Sequence, residues 1–200
     1  MEIEFKLALD EKDAHRFLSH DLFQGEFTAG HLFSVYYDTP NTLLRDHGFA
    51  LRLRQQEESL IQALKSKGTV ENGLHKRDEW EWEVKRPEIN YAVLTDKLGS
   101  VYPKVKNKLQ RIFTTEFVRY AWWLESNSSV IEVALDHGIV KSFGHTDVIS
   151  EVELELKSGK EAAIIELAQT LKQDLPVKSA NKSKAMRGYH LYEKAKRVRT

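Results

Sequence analysis

The chain contains no cysteine, and its 200 residues include only 10 glycines and 4 prolines. Without cysteine the protein forms neither disulfides nor thiolate metal sites, and this composition suits a reducing compartment. Sparse glycine and proline leave no obvious linker between domains. We therefore expect a single domain over residues 1–200, which is long enough to bury a hydrophobic core.

An excess of charge of one sign and long apolar runs are also missing. Lys plus Arg and Asp plus Glu each number 30, so no global attraction to nucleic acid is expected. Glu2, Glu4 and Lys6 interrupt any apolar run at the start, and no later stretch reaches the roughly 18 apolar residues of a membrane span. We expect a cytoplasmic protein with neither membrane nor nucleic acid as partner, and the sequence leaves its oligomeric state open.

Alternation of charged and apolar residues predicts most of the secondary structure. Strands are predicted at 2–9, 30–38, 49–55, 60–67, 77–85, 111–123, 129–136, 139–143 and 148–157. Helices are predicted at 10–20, 92–110, 159–173 and 181–196, with a turn and short helix at 39–48. The helical stretch at 92–110 is expected to be broken by Gly99 and Pro103. Antiparallel strands with few helices are typical of an α+β fold built on a large sheet or barrel.

Nearly every predicted strand has a charged face opposite an apolar one. Arg52 and Arg54 alternate with leucines, and Glu151, Glu153 and Glu155 alternate with valine and leucine. A solvated sheet surface is one interpretation, but it would be expected to mix in more Ser, Thr, Gln and Asn. The other interpretation is a barrel whose charged faces point inward. Such a barrel needs a wet interior that holds a ligand, because unpaired buried charges cost several kcal/mol each. The remaining charged faces carry Lys65 and Lys67, then Arg77, Glu79 and Glu81, and then Glu132 and Asp136.

The residue types on these faces indicate which ligand such an interior would hold. Pairs of carboxylates at alternate positions offer oxygen ligands to a hard divalent cation such as Mg²⁺ or Mn²⁺. Lysine and arginine side chains can hold several phosphate groups at once. A polyphosphate with a bound metal ion fits both halves of the pattern.

The sequence resembles the CYTH domains, the triphosphate tunnel metalloenzymes, in eight segments that follow the family's order. These segments are "EIEFK", "LRLR", "ALKSKG", "HKRDEWE", "TEFVRYAW", "IEVALDHGIV", "EVELEL" and "SKAMRGYH". The ExExK pattern in the first segment is weak alone, but eight ordered segments over essentially the whole chain are specific. The likeness is to bacterial inorganic triphosphatases, in which a helical accessory domain often follows. These 200 residues contain no counterpart of it, so the chain either lacks that domain or is a piece of a longer protein.

The resemblance implies an eight-stranded antiparallel β-barrel, the triphosphate tunnel, with flanking helices and with Mg²⁺ or Mn²⁺ as cofactor. It implies metal ligands at Glu2, Glu4, Glu151 and Glu153, with Glu155 as a further candidate. The implied phosphate ligands are Lys6, Arg52, Arg54, Lys65, Arg77, Arg119, Lys184 and Arg187. The implied catalytic residues are Glu2, Glu4, Lys6, Glu79 and Asp136, of which the last two would orient basic residues or contact a second metal ion.

The activity that the resemblance implies is hydrolysis of a small-molecule triphosphate, first of all inorganic tripolyphosphate, to diphosphate and phosphate. The same tunnel would serve a class IV-type adenylyl cyclase or a thiamine or nucleoside triphosphatase. A non-catalytic polyphosphate-binding module is a third interpretation, which would be expected if the acidic residues were missing. The eight histidines have no metal-ligand spacing, so we expect them at the surface or behind the ligands.

Overall fold

The computed structural model describes residues 1–126 and 128–199. The single domain predicted over 1–200 also includes Asn127 and Thr200, which lie outside the described residues. None of the helices in the described part of the chain is long and apolar enough to span a membrane.

In the described part of the chain, eleven strands form one antiparallel sheet. They are β1 (Glu2–Leu9), β2 (Thr28–Asp38), β3 (Phe49–Gln56), β4 (Ser59–Ser66), β5 (Thr69–Glu71), β6 (Leu74–Arg77), β7 (Glu79–Glu83), β8 (Gln110–Ser126), β9 (Ser129–Ser142), β10 (His145–Ser158) and β11 (Val177–Ser179). The α-helices are α1 (Ala14–Leu18), α2 (Leu43–Asp46), α3 (Thr95–Leu98), α4 (Tyr102–Val105), α5 (Glu161–Asp174) and α6 (Lys184–Arg199).

The sheet curls because its two ends are joined through adjacent residues. Its order runs β6-β1-β10-β9-β8-β2-β3-β4-β7, and only Asp78 separates β6 from β7. If β6 and β7 are counted as one interrupted strand, the barrel has eight long strands. The three-residue strand β5 pairs with β6, and the three-residue strand β11 pairs with β1. The predicted α+β class and eight-stranded antiparallel architecture are confirmed, with the two short strands as an addition.

Several predicted boundaries were wrong. The strands expected at 129–136 and 139–143 form one strand, β9, because Gly138 is not a turn: it lies opposite Phe117, and a Cβ on it would lie 2.2 Å from the carbonyl oxygen of Glu116. The strand expected at 77–85 begins at Leu74. The helix expected at 10–20 is shorter: a 3-10 turn at Glu11–Asp13 runs into α1. The segment expected at 92–110 is a series of short helical turns over 92–105, broken at Gly99 as predicted but not at Pro103, which lies in the first turn of α4. The strands β5 and β11 were not predicted.

The apolar strand faces point outward and are covered by helices. One buried cluster joins α5 to β1, β9 and β10 through side chains such as Leu7, Val152 and Ile164. Another joins the segment 92–105 to β3 and β4. A third lies inside one end of the barrel, where Tyr189 of α6 packs edge-on against Phe113 of β8. The helices therefore leave the middle of the barrel to the charged faces.

Candidate functional site

A cavity of about 740 Å³ runs through the middle of the barrel. Its wall is formed by charged residues of the long strands and by the first residues of α6. Some inward positions carry small residues: Gly30 lies opposite Arg119, and Ala63 lies opposite Arg52. These small residues leave room for the long charged side chains of neighbouring strands.

The structure places most of the residues predicted for the site in this wall. Those that line the cavity are Glu2, Glu4, Lys6, Arg52, Arg54, Lys65, Arg77, Glu79, Arg119, Glu153, Glu155 and Lys184. Asp136 and Glu151 are buried directly behind the wall, in contact with Lys184. Arg187 is not among the lining residues: its guanidinium donates to Asp147 at 2.8 Å and to Glu151 at 3.4 Å.

Two glutamates of β1 form the first group of ion pairs. Glu2 accepts from Lys65 and from Arg77, each at 2.8 Å. Glu4 accepts from Lys6 at 3.0 Å and also contacts Arg77. Burial alone would raise the pKa of Glu4, but the positive charges of Lys6, Lys65 and Arg77 outweigh it and the pKa is lowered. Glu79 of β7 extends this group by holding Lys65 at 2.9 Å.

Three carboxylates of β9 and β10 form a second, tighter group. One oxygen from each of Asp136, Glu151 and Glu153 can be chosen so that all lie within 4.8 Å of one another. The ammonium group of Lys184 contacts all three, at 2.5, 2.5 and 3.0 Å respectively. Arg119 adds a bidentate pair to Asp136, with both distances 2.8 Å. Carboxylate oxygens at this spacing are a donor set that fits Mg²⁺ or Mn²⁺.

Arg54 differs from every other basic residue predicted for the site. Its Nε donates to the hydroxyl of Ser34 at 3.2 Å, and within residues 1–126 and 128–199 it forms no ion pair with a carboxylate. Burial and the neighbouring charges of Arg52 and Arg119 lower the pKa of Arg54 to about 10. The cavity therefore holds a half-buried cation that the described residues do not neutralise by a direct ion pair.

Three cations meet at the aromatic ring of Phe117, which is 2% exposed. The guanidinium carbons of Arg54 and Arg119 each lie 5.8 Å from the ring centroid, and the ammonium of Lys184 lies 4.9 Å from it. This convergence creates a positive region beside the acidic group of β9 and β10.

Two further wall residues, His75 and Lys157, are not singled out by the sequence pattern. His75 of β6 lines the cavity, and its Nε2 lies 3.0 Å from the carbonyl oxygen of Ala180. Lys157 of β10 also lines the cavity and pairs with Glu132 at 3.2 Å. His75 lies two residues before Arg77, so the two side chains share one face of β6. A strand predicted to begin at Leu74 would therefore have placed His75 on the inner face.

The charge pairs predict how stability depends on pH. The pKa of Glu4 is lowered from its ordinary value of 4.5 in the folded protein. Its ionised form therefore stabilises the fold above that value, and the contribution is lost as the pH falls through the lowered pKa. In chelator, the free energy of unfolding of the wild type should fall more steeply from about pH 5 to about pH 3 than that of Glu4→Gln. Urea unfolding at several pH values measures both slopes.

The matched control for this experiment is Glu166→Gln, which removes an exposed carboxylate from α5. Its slope should follow that of the wild type. If Glu4→Gln and the wild type lose stability in parallel, the ion pairs of Glu4 do not stabilise the fold.

Comparisons with known proteins point in one direction. The CYTH domain family model matches residues 1–189. An inorganic triphosphatase from Haemophilus influenzae is 36% identical over 165 residues, which are 80% of this chain and 46% of that protein. The chain thus spans less than half the length of this relative.

Solved structures share the fold. A putative adenylyl cyclase from Hippeastrum, described as having a dominant triphosphatase activity, superposes with a TM-score of 0.70 at 18% identity, over 97% of this chain and 96% of that one. A putative adenylate cyclase from Bacillus halodurans gives a TM-score of 0.64 at 22% identity, over 94% of this chain and 96% of that one.

Proposed function

The chain belongs to the CYTH domain family, and we propose that it hydrolyses inorganic tripolyphosphate to diphosphate and phosphate with Mg²⁺ or Mn²⁺. The observation that carries this proposal is Arg54, a half-buried guanidinium without a carboxylate partner among the described residues. It lines the same cavity as Glu153, which belongs to an acidic group with Asp136 and Glu151 directly behind the wall. A polyphosphate with a bound cation supplies negative charge to Arg54 and positive charge to the carboxylates.

The similarity to the Haemophilus influenzae inorganic triphosphatase supports the choice of substrate. A short, highly charged anion also suits the cavity, whose wall is rich in lysine and arginine. The cytoplasmic location and the single domain expected from the composition belong to the same proposal.

We assign the phosphate-binding role to the basic residues that line the cavity: Lys6, Arg52, Arg54, Lys65, Arg77, Arg119 and Lys184. Arg187 remains a candidate only through its contact with Glu151. Guanidinium groups suit this task because they donate two parallel hydrogen bonds to phosphate oxygens.

For the metal ion we propose Glu151 and Glu153, as the resemblance implies, together with Asp136, which lies in the same acidic group. Glu2 and Glu4, which the resemblance also implies as metal ligands, line the cavity but are not part of that acidic group. We assign them to a second cation or to orienting Lys65, Lys6 and Arg77, with which they pair. A divalent cation, when bound, supplies charge neutralisation and lowers the pKa of bound water.

The chain's own residues contribute position and charge. Arg54 and Arg52 neutralise charge that develops on the leaving diphosphate, where fixed donors stabilise a transition state most effectively. Glu79 holds Arg52 at 3.3 Å, and Asp136 fixes the plane of Arg119 through two hydrogen bonds. Water attacks the terminal phosphorus in line with the departing diphosphate, so no covalent nucleophile is required.

A product assay tests the proposal. Tripolyphosphate, ATP and thiamine triphosphate are each incubated with Mg²⁺, Mn²⁺ or chelator, and phosphate, diphosphate and cyclic AMP are measured. We expect diphosphate and phosphate from tripolyphosphate only when the cation is present. Full activity in chelator contradicts the proposal.

The same assay distinguishes the alternatives. Cyclic AMP and diphosphate released from ATP faster than tripolyphosphate is cleaved would indicate an adenylyl cyclase. Faster cleavage of thiamine triphosphate or ATP to the diphosphate would indicate an organic triphosphatase. Tight binding of tripolyphosphate without any turnover would indicate a polyphosphate-binding module.

A further inference from the structure

The ammonium group of Lys184 lies where the proposed metal ion would have to bind. It contacts Asp136, Glu151 and Glu153, the three carboxylates whose oxygens lie within 4.8 Å of one another. Lys184 is itself 6% exposed, at the first residue of α6. A single side chain therefore contacts the complete acidic group.

Each of the three carboxylates also has a basic partner other than Lys184. Asp136 is also held by Arg119, Glu151 by Arg187, and Glu153 by both Lys6 and Arg119. Each carboxylate therefore keeps at least one ion pair when the ammonium group of Lys184 moves away. Adding a divalent cation while Lys184 stays in place would put like charges within a few ångströms of each other in a buried site, where repulsion is strong.

We propose that Lys184 is an internal cation that the metal ion displaces, and that its transfer from the carboxylates to the phosphates of the substrate couples binding of the two ligands. This inference rests on the proposed function, since it takes the acidic group to be the metal site. A displaced ammonium group in a buried position is costly without an acceptor. The substrate anion would provide that acceptor.

The geometry around Phe117 shows where the displaced group can go. Lys184 and Arg54 both lie within cation–π distance of the same ring, at 4.9 and 5.8 Å from its centroid. Rotation of the flexible lysine side chain across this ring moves its ammonium from the acidic group toward the cation that has no carboxylate partner among the described residues.

The energetic consequence concerns the metal ion bound alone. In the absence of an anion, the metal ion must compete with Lys184 for the three carboxylates. The affinity of the protein for the metal ion is therefore reduced by the strength of the ion pairs that Lys184 loses. Coupling between ligands of a protein is typically about 5- to 150-fold. Removing the lysine should therefore increase the affinity for the metal, which is the opposite of what is expected for a residue that only supports the site.

Titration with Mn²⁺ alone, followed by the electron paramagnetic resonance signal of the free ion, tests this inference on the full chain. Lys184→Met should bind Mn²⁺ about tenfold more tightly than the wild type. Lys182→Met is the matched control, because Lys182 is exposed, lies two residues earlier and has the same formal charge. Its affinity should stay within about threefold of the wild type, since an exposed charge is largely screened.

Each outcome has a distinct meaning. Mn²⁺ affinity in Lys184→Met that is equal to or weaker than that of the wild type and Lys182→Met overturns the inference and leaves the proposed function intact. Absence of Mn²⁺ binding in all three overturns the inference, and the proposed function then depends on the product assay, in which cleavage must require Mg²⁺ or Mn²⁺. If Lys184→Met does not fold, as judged by circular dichroism, Lys184→Gln replaces it, because the amide can still donate to one carboxylate while removing the charge.

Discussion

Replacement of Arg54 by alanine should lower kcat/KM for tripolyphosphate by about 10²- to 10³-fold, the scale seen when one preorganised charge-stabilising group is lost. The same change should not lower the melting temperature of the protein without anion. Burial and two neighbouring cations lower the pKa of Arg54 to about 10, so its charged form destabilises the folded protein at neutral pH. Steady-state kinetics and calorimetry in chelator measure the two effects.

Two further variants make this experiment specific. Arg54→Lys keeps the charge but cannot donate two parallel hydrogen bonds, so we expect poor rescue of kcat/KM. Arg111→Ala, which removes an exposed arginine from β8, should retain wild-type kinetics. Complete rescue by lysine would show that only net charge matters at this position, and loss of stability in Arg54→Ala would show that the guanidinium stabilises the fold.

Replacement of Glu153 by glutamine should reduce the metal-dependent rate by about 10²-fold or more. Glu153 belongs to the proposed ligand set and also contacts Lys6, Arg119 and Lys184. A neutral amide binds a hard cation more weakly than a carboxylate does, so part of the loss should appear as a higher concentration of Mn²⁺ needed for half-maximal rate. Titration of the rate with Mn²⁺ separates this shift from the loss at saturation.

Glu155→Gln is the appropriate comparison, because Glu155 lies on the same face of β10 but is engaged by Lys157 at 2.9 Å. It lies outside the group formed by Asp136, Glu151 and Glu153. We expect a loss of less than about tenfold. Near wild-type turnover of a folded Glu153→Gln at saturating metal would refute the assignment of Glu153.

The direction of the charged faces was predictable from the sequence. Alternation places Arg52 and Arg54, or Glu151 and Glu153, on one side of a strand regardless of what surrounds it. Whether that side points to solvent or to an interior depends on how the sheet curls, which a local pattern does not contain. The resemblance to the CYTH domains predicted that the sheet closes into a barrel, and the strand order of the structure agrees.

The pairing between these residues was not predictable. That Lys184 joins the acidic group, while Arg187 three residues later turns toward Asp147, depends on how α6 enters the barrel. The role of Gly138 could not be predicted for a similar reason. Gly138 allows β8 to approach β9 closely, which depends on both strands. In the sequence of β9 alone, a glycine is equally typical of the end of a strand.

The pairing of β1 with both β6 and β10 has a consequence for how the protein folds. Glu4 lies opposite Glu155 of β10 on one side and His75 of β6 on the other. The pairing of β1 with β10 therefore joins residues about 150 positions apart in the sequence. Contacts of such long sequence separation form slowly, because loop closure costs entropy before pairing repays it. Until β1 is paired on both sides, the sheet has open edges that can join other chains. Glu4 and Glu153 are joined through Lys6 only when β1 pairs with β10. Recovery of activity during refolding should therefore follow the slowest phase rather than the formation of the hairpin β8–β9.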